Sequence, residues 1–283
     1  MTEYRFGISV TPYAEQYQQI VAQVLAAENG GLDLMGIQDH PYQRRFLDTY
    51  ALMADLLART ERLRFFPDVT SLPMRPPAMI AKAAASLDVM SGGRFELGIG
   101  AGAFWDAVHG MGGVVRERAE RLPALEEAID IIRGALDVGP ERRVVRSEGR
   151  FYPAHMYPPG PPPAHRIEIW IGAMAPGALR LVGRKADGWV PGGGISRAAD
   201  FPQLNARIDE AAKNAGRDPG QIRRIANVGG LDIGDAAAAT ALLTRLGVDG
   251  GIDSFVFWPG DAGTAEVERF AGDIVPAVRQ RLG

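Results

Sequence analysis

The chain has 283 residues, 46% of them apolar, and a formal net charge of −3. That length and composition suit one large domain with a substantial core, and the small charge argues against electrostatic capture of nucleic acid or of an anionic membrane. With no cysteine, disulfides, thiolate nucleophiles and cysteine-held metals are excluded.

The opening Met1–Arg5 lacks the apolar stretch of a secretion signal. No apolar run reaches the ~20 residues of a membrane span, so a cytoplasmic protein is expected. Short apolar runs bounded by Gly, Pro or Asp mark buried parallel strands. Eight occur: Arg5–Val10, Leu32–Gln38, Leu63–Val69, Phe95–Ile99, Ile167–Ile171, Gly188–Pro191, Ile222–Val228 and Ser254–Phe257. Amphipathic stretches separate them. Tyr13–Asn29 carries Ile20, Val24 and Ala27 at helical spacing and stops at Gly30-Gly31. Pro76–Met90 opens on proline and ends at Ser91-Gly92-Gly93. Arg118–Leu136 sets Leu122, Leu125, Ile129 and Ile132 on one face. The tail Thr264–Leu282 supplies the last helix. This series predicts a (β/α)₈ TIM barrel, one domain over residues 1–283. The long connection 103–166 is an insertion after the fourth strand. Its Pro158–Pro163 run is too stiff and donor-poor for regular structure. It is either a surface loop or a flap beside the site.

Barrel enzymes place their chemistry at the C-terminal strand ends. Here those ends are Thr11, Asp39-His40, Thr70-Ser71, Gly100–Gly102, Gly172–Met174, Gly192–Gly194, Gly229-Gly230 and Trp258–Gly260. Five of the ends bear glycine, which lets backbone approach a ligand closely, so a large flat ligand is expected. The alternative is that each glycine only turns the chain. Gly98–Gly102 is a poor dinucleotide fingerprint: the third glycine is misplaced, and Ala103-Phe104-Trp105 does not open a clean helix. A backbone shelf under an aromatic ring system fits better. Gly172–Ala178 runs from strand into helix, where free amides hold an anion, or where Pro176 merely shapes a turn. His40 at the rim can pass a proton near neutral pH or bond a flavin-type ring, unless Asp39 caps the loop and His40 packs. His109, His155 and His165 lie in the long connection and are expected to be solvated.

Other barrel chemistries fit less well. Lys82, Lys185 and Lys213 all fall in helical stretches, so a Schiff-base lysine is missing from the rim. One His-bearing strand end is too few for a metal cage, and no Gly-x-Ser-x-Gly elbow occurs. A site with few ionisable groups suits a cofactor that brings its own chemistry.

Leu87-Asp88-Val89-Met90-Ser91-Gly92-Gly93-Arg94-Phe95-Glu96-Leu97-Gly98-Ile99-Gly100-Ala101-Gly102 resembles the segment shared by bacterial luciferase-like monooxygenases and their coenzyme F420-dependent relatives. Gly183-Arg184-Lys185-Ala186-Asp187-Gly188-Trp189 resembles a second segment of that family. The resemblance implies a dimeric (β/α)₈ barrel with an insertion after strand four, binding a tricyclic ring over its mouth. The ring belongs to coenzyme F420 or, alternatively, to FMN. Asp39 and His40 match the acidic–His pair that deazaflavin-dependent members set beside it, and are the expected catalytic residues. Val69, Thr70 and Ser71 match the stretch where the family often has a non-prolyl cis peptide supporting the ring. Gly100, Ala101 and Gly102 would border the ring. Gly172, Ala173, Met174, Ala175, Pro176 and Ala178 would cradle the phosphate. Sugar-phosphate dehydrogenases of the group carry a glutamate where this chain has Ala103 and an aromatic where it has Arg44, which speaks against that substrate. Phe104 and Trp105 suggest an apolar wall, or packing within the insertion. The expected function is hydride transfer between F420 and a small organic substrate, with His40 orienting that substrate or shuttling a proton. The alternatives are an FMN monooxygenase using molecular oxygen, a non-catalytic flavin-binding accessory protein, and a lyase or isomerase acting on a phosphorylated substrate.

Overall fold

A computed structural model describes residues 3–137, 144–260 and 263–283. Met1 and Thr2 of the opening segment, and residues 138–143 of the expected insertion, lie outside them. The elements follow the predicted rhythm. The first half runs β1 (Arg5–Val10), α1 (Tyr17–Asn29), β2 (Leu34–Ile37), α2 (Thr49–Ala58), β3 (Arg64–Pro67), β4 (Thr70–Ser71), α3 (Pro77–Ser91) and β5 (Leu97–Gly100). The long connection holds α4 (Trp105–Gly110), α5 (Arg118–Leu136), β6 (Val145–Ser147) and β7 (Ala154–Tyr157). The second half runs β8 (Ile169–Gly172), α6 (Pro176–Lys185), β9 (Gly188–Val190), α7 (Phe201–Asn214), β10 (Arg223–Asn227), α8 (Ala236–Val248), β11 (Ser254–Phe257), α9 (Ala265–Arg269) and α10 (Val275–Leu282).

The strands form one parallel sheet in the order β3-β2-β1-β11-β10-β9-β8-β5-β4. Its ends meet at the base, where Phe65 pairs with Phe95 and its N–H donates to Arg94 O at 2.8 Å. β3 and β4 are two halves of one stave, parted by a cis peptide between Asp68 and Val69. Eight staves therefore surround a plug of Leu34, Phe66, Trp170, Val190, Ile225 and Val256, with Val69 packed against it. A larger apolar layer lies between strands and helices. Each fully buried plug side chain contributes about 1.5–3 kcal/mol, so the barrel is a solid support and not a channel.

Three local departures from the sequence reading have physical causes. The first helix begins at Tyr17, not Tyr13, because Tyr13 is bridged to Phe46 and Ala14 N–H donates to Arg45 O. A short helix does open at Trp105, after Phe104 takes a left-handed φ of 50°. The third is β6 pairing with β7 as an antiparallel hairpin, whose strands are too short and polar to read as such. The Pro158–Pro163 run has no regular structure.

His165 corrects the expectation of a solvated loop histidine, whereas His109 and His155 are exposed. His165 donates from Nδ1 to Asp88 at 2.7 Å and from Nε2 to Glu96 at 3.1 Å. It fastens the end of the long connection to α3 and to the residue preceding β5. The hydrogen bonds to Asp88, then to Glu96, push its pKa up to about 9 from 6.5. A raised value means the stabilisation is complete below about pH 6.5 and lost as pH rises through about 9. Chemical denaturation should therefore show unfolding free energy falling by about 1–2 kcal/mol between pH 6.5 and 9.5, the figure being reduced for partial solvent screening. The His165→Gln variant should show no such fall; an identical slope in the variant would remove the assignment.

Candidate functional site

A cavity of about 430 Å³ opens at the C-terminal rim. Asp39, His40, Val69, Thr70, Ser71, Gly100, Ala101, Gly102, Gly172, Ala173 and Met174 all line it, as the sequence reading expects. Ala175, Pro176 and Ala178 do not. They stand just beyond it at the N-terminus of α6, where there is neither a side-chain cap nor an acidic residue in the first turn. Thr11, Gly229, Gly230 and Gly260 also lie outside its wall.

Val69 makes the floor. A Cβ built on Gly100 or Gly172 would come within 3.0 or 2.9 Å of its Cγ2. Neither glycine has positive φ. Their role is clearance for the Val69 bulge, which decides against simple turn formation at these two positions. Gly102 does turn the chain, with φ at 102°.

One wall is built by ion pairing. Asp39 is 1% exposed and accepts the Ser71 N–H at 3.0 Å. Arg75 donates to Asp39 at 3.3 Å and to Asp48 at 2.5 Å, and lies 4.5 Å over the Tyr50 ring. The Tyr50 hydroxyl meets Thr70 Oγ1 at 2.8 Å. Arg75 and Asp39 thus hold the Thr70-Ser71 segment from behind. Ser71 Oγ is buried, has no hydrogen-bond partner among the described residues, and belongs to a residue lining the cavity.

His40 is half-buried, with Nδ1 2.7 Å from the Tyr42 hydroxyl and the Phe104 ring edge-on at 5.4 Å. Burial lowers its pKa, partly opposed by the Asp39 charge, so the imidazole is neutral at neutral pH. The Tyr42 pKa is pushed up to about 12, by burial first and then by Asp39. A phenol hydroxyl that stays protonated can donate to Nδ1 or accept from it. In the second arrangement its own proton faces Ala103 O at 3.5 Å, a contact at the limit of hydrogen bonding. His40 Nε2 is then free to act as a proton acceptor.

Beside Val69, the cavity lining also includes Asp68, Asn227 and Trp258, a polar cluster that the sequence reading missed. The Asp68 carboxyl accepts from Ser9 Oγ and from Asn227 Nδ2, each at 3.1 Å, and Asn227 Oδ1 accepts the Trp258 indole N–H at 2.9 Å. Asn227, the polar residue that closes its strand after the buried Ile225 and Ala226, was the available signal. Tyr42 was also missed. It occupies the wall beside Ala103, the position where a glutamate was looked for.

The two segments that carried the resemblance combine two roles: Gly100, Ala101 and Gly102 line the cavity, while the rest of each segment fastens neighbouring elements together. Asp88 and Glu96 hold His165, and Arg94 donates to Leu57 O and Leu63 O. Asp187 receives Ile169 N–H and Arg166, while Trp189 donates its indole N–H to Ala173 O at the rim.

An eight-stave parallel barrel with a glycine-cleared shelf and a His at its C-terminal mouth is a (β/α)₈ barrel whose site lies where such barrels carry their chemistry. Residues 1–245 match the luciferase-like monooxygenase family model, and the chain belongs to that family. An uncharacterised protein of Mycobacterium tuberculosis is 38% identical over 172 residues, 61% of this chain and 56% of its own length, so the match spans just over half of that relative. An F420-dependent glucose-6-phosphate dehydrogenase of Intrasporangium calvum is 31% identical over 225 residues, covering 76% of this chain and 66% of that one. An F420-dependent secondary alcohol dehydrogenase, solved with an F420-acetone adduct, shares the fold with a TM-score of 0.86 at 18% identity, over 98% of this chain and 99% of that one. Among the described residues no helix is long and apolar enough to cross a membrane, and no group of three or more His, Asp or Glu could hold a metal ion.

Proposed function

We propose that this chain is an oxidoreductase moving hydride between bound coenzyme F420 and a small uncharged organic substrate. The observation that carries this is the cavity floor: Val69 raised between Gly100 and Gly172, with the unpartnered Ser71 Oγ at its side. The residues fit a flat polar ring. A Cβ at either glycine would disturb the shelf, and a buried hydroxyl without a partner is costly unless a ligand satisfies it. The unblocked first turn of α6, beside Ala175, Pro176 and Ala178, suits the cofactor's phosphate. F420-dependent relatives support the same choice of cofactor.

When bound, the deazaflavin supplies the hydride acceptor or donor. His40 handles the proton. In the oxidising direction its neutral Nε2 accepts the substrate hydroxyl proton, with Nδ1–H turned to Tyr42; in the reducing direction it returns that proton. Asp39 and Arg75 keep Ser71 in place and take no part in proton transfer. The Phe104 ring, 60% exposed beside His40, offers an apolar surface to the substrate. Ala103 stands where a glutamate was looked for, and Arg75 is engaged by Asp39 and Asp48, so a sugar phosphate is not the expected substrate.

Titration of the protein with oxidised F420 and, separately, with FMN tests this by fluorescence quenching. Micromolar affinity for F420 and none for FMN is expected. The reverse preference would favour an oxygen-using FMN monooxygenase, the reading that the family description itself suggests. Absence of binding to both would overturn the proposal. Ser71→Ala should weaken cofactor binding about 3–10-fold, the value of one hydrogen bond, with an unchanged melting temperature. An unchanged dissociation constant would show that Ser71 Oγ does not meet the ring.

A further inference from the structure

Asp68 occupies the joint between β3 and β4, is 9% exposed, and contributes to the cavity lining. Ser9 Oγ from β1 and Asn227 Nδ2 from β10 face its two oxygens. The indole N–H of Trp258 can only donate, so it fixes the Asn227 amide with its NH₂ toward Asp68. Both groups facing Asp68 are neutral. The other titratable groups in the cavity wall are Asp39, His40 and Tyr42. Asp39 is tied to Arg75, and His40 faces Tyr42. Val69, Gly100, Gly172 and Trp258 bring no charge. Among the described residues Asp68 has no salt-bridge partner, and its cavity side is the remaining route to water.

We propose that covering the cavity with the tricyclic ring makes Asp68 take up one proton from solvent, so that cofactor binding is coupled to neutralisation of this buried carboxylate. This rests on the function proposed above. The ring displaces the water that the open cavity offers a carboxylate. Two neutral hydrogen bonds then remain to hold a charge, which is insufficient in a dry site. In the open cavity burial pushes the Asp68 pKa up to about 6, with the bonds from Asn227 and Ser9 opposing the rise. At pH 7 the open form is therefore mostly ionised, and further loss of water moves it toward the neutral acid. The reaction is the addition of a proton to a carboxylate oxygen; no other bond changes. The consequence is a floor without negative charge beneath the electron-rich reduced ring.

Calorimetric titration with oxidised F420, in buffers of low and high ionisation enthalpy, counts protons exchanged on binding. The Asp68→Asn variant corrects for protons that the cofactor itself exchanges. It is isosteric, with its carbonyl facing Asn227 and its NH₂ donating to Ser9. Wild type minus variant should give uptake of about 0.5–1 proton per site at pH 7, shrinking toward zero at pH 5, where Asp68 is already protonated. Ser9→Ala removes one donor to the charged form and should move the uptake maximum to higher pH. Equal proton counts in wild type and Asp68→Asn, with binding intact, would overturn the coupling, as would an unmoved maximum in Ser9→Ala. If FMN is the ligand that binds, the same protocol applies with FMN. If neither binds, the proposed function falls and the coupling with it.

Discussion

Replacing His40 with alanine is expected to lower turnover about 10²–10³-fold while leaving the cofactor's dissociation constant within about threefold. The split follows from what His40 touches. Its Nδ1 is engaged by Tyr42, and its ring stands at the cavity wall beside Phe104, not in the Val69 floor. Loss of the ring therefore removes a proton acceptor without removing the shelf. His40→Gln keeps a polar group of similar reach but cannot take the proton, so it should recover substrate affinity and little turnover. Burial depresses the His40 pKa, against the smaller pull of Asp39. In the oxidising direction kcat/KM should accordingly fall with acid only below the pH expected of an ordinary histidine, about 6.5. Full turnover in His40→Ala, or an acid limb that survives the substitution, would take the proton-transfer role away from this residue.

Asp39→Ala should behave differently, with an expected loss of about 2–3 kcal/mol in unfolding free energy and at least tenfold in cofactor affinity. The carboxylate is almost fully buried. Removing it leaves the Ser71 N–H without an acceptor and Arg75 with only Asp48 and the Tyr50 ring. Asp48 is partly exposed, so the remaining pair holds Arg75 less firmly, but it keeps the loss below that of a fully orphaned cation. Asp39→Asn retains an acceptor for Ser71 N–H and should fall between the two. Denaturation curves and cofactor titrations on the same preparations separate the possibilities. A variant of native stability and native affinity that has lost only turnover would make Asp39 a catalytic group and contradict the positioning role.

The contrast between His40 and Asp39 shows where sequence reasoning stops. Adjacent at a strand end, both read as catalytic. What differs in the structure is their anchoring: Asp39 is tied to Arg75, 36 residues further along, and His40 to Tyr42. The barrel itself was legible because each stave is a short apolar run closed by Gly, Pro or Asp, a pattern set by burial on both faces. The rim was legible for the same reason: once strand ends are located, the residues after them must gather. Partnerships across the barrel were not. His165 meets Asp88 and Glu96 at separations of 77 and 69 residues, and nothing local distinguishes it from His155, which is exposed. Ser9, Asp68, Asn227 and Trp258 come from four different staves, each looking ordinary in its own segment. Their meeting is a consequence of closure, which no window of sequence contains. The glycines were seen, but the reason for Gly100 and Gly172 was not, because it depends on the methyl groups of Val69.

A crystal structure of the protein grown with oxidised F420 tests the placement of the ring most directly. Density for the tricycle over Val69, between Gly100 and Gly172 with Ser71 Oγ in hydrogen-bond range and the phosphate at the start of α6, is the predicted result. A cofactor seated anywhere other than this mouth of the barrel would contradict it.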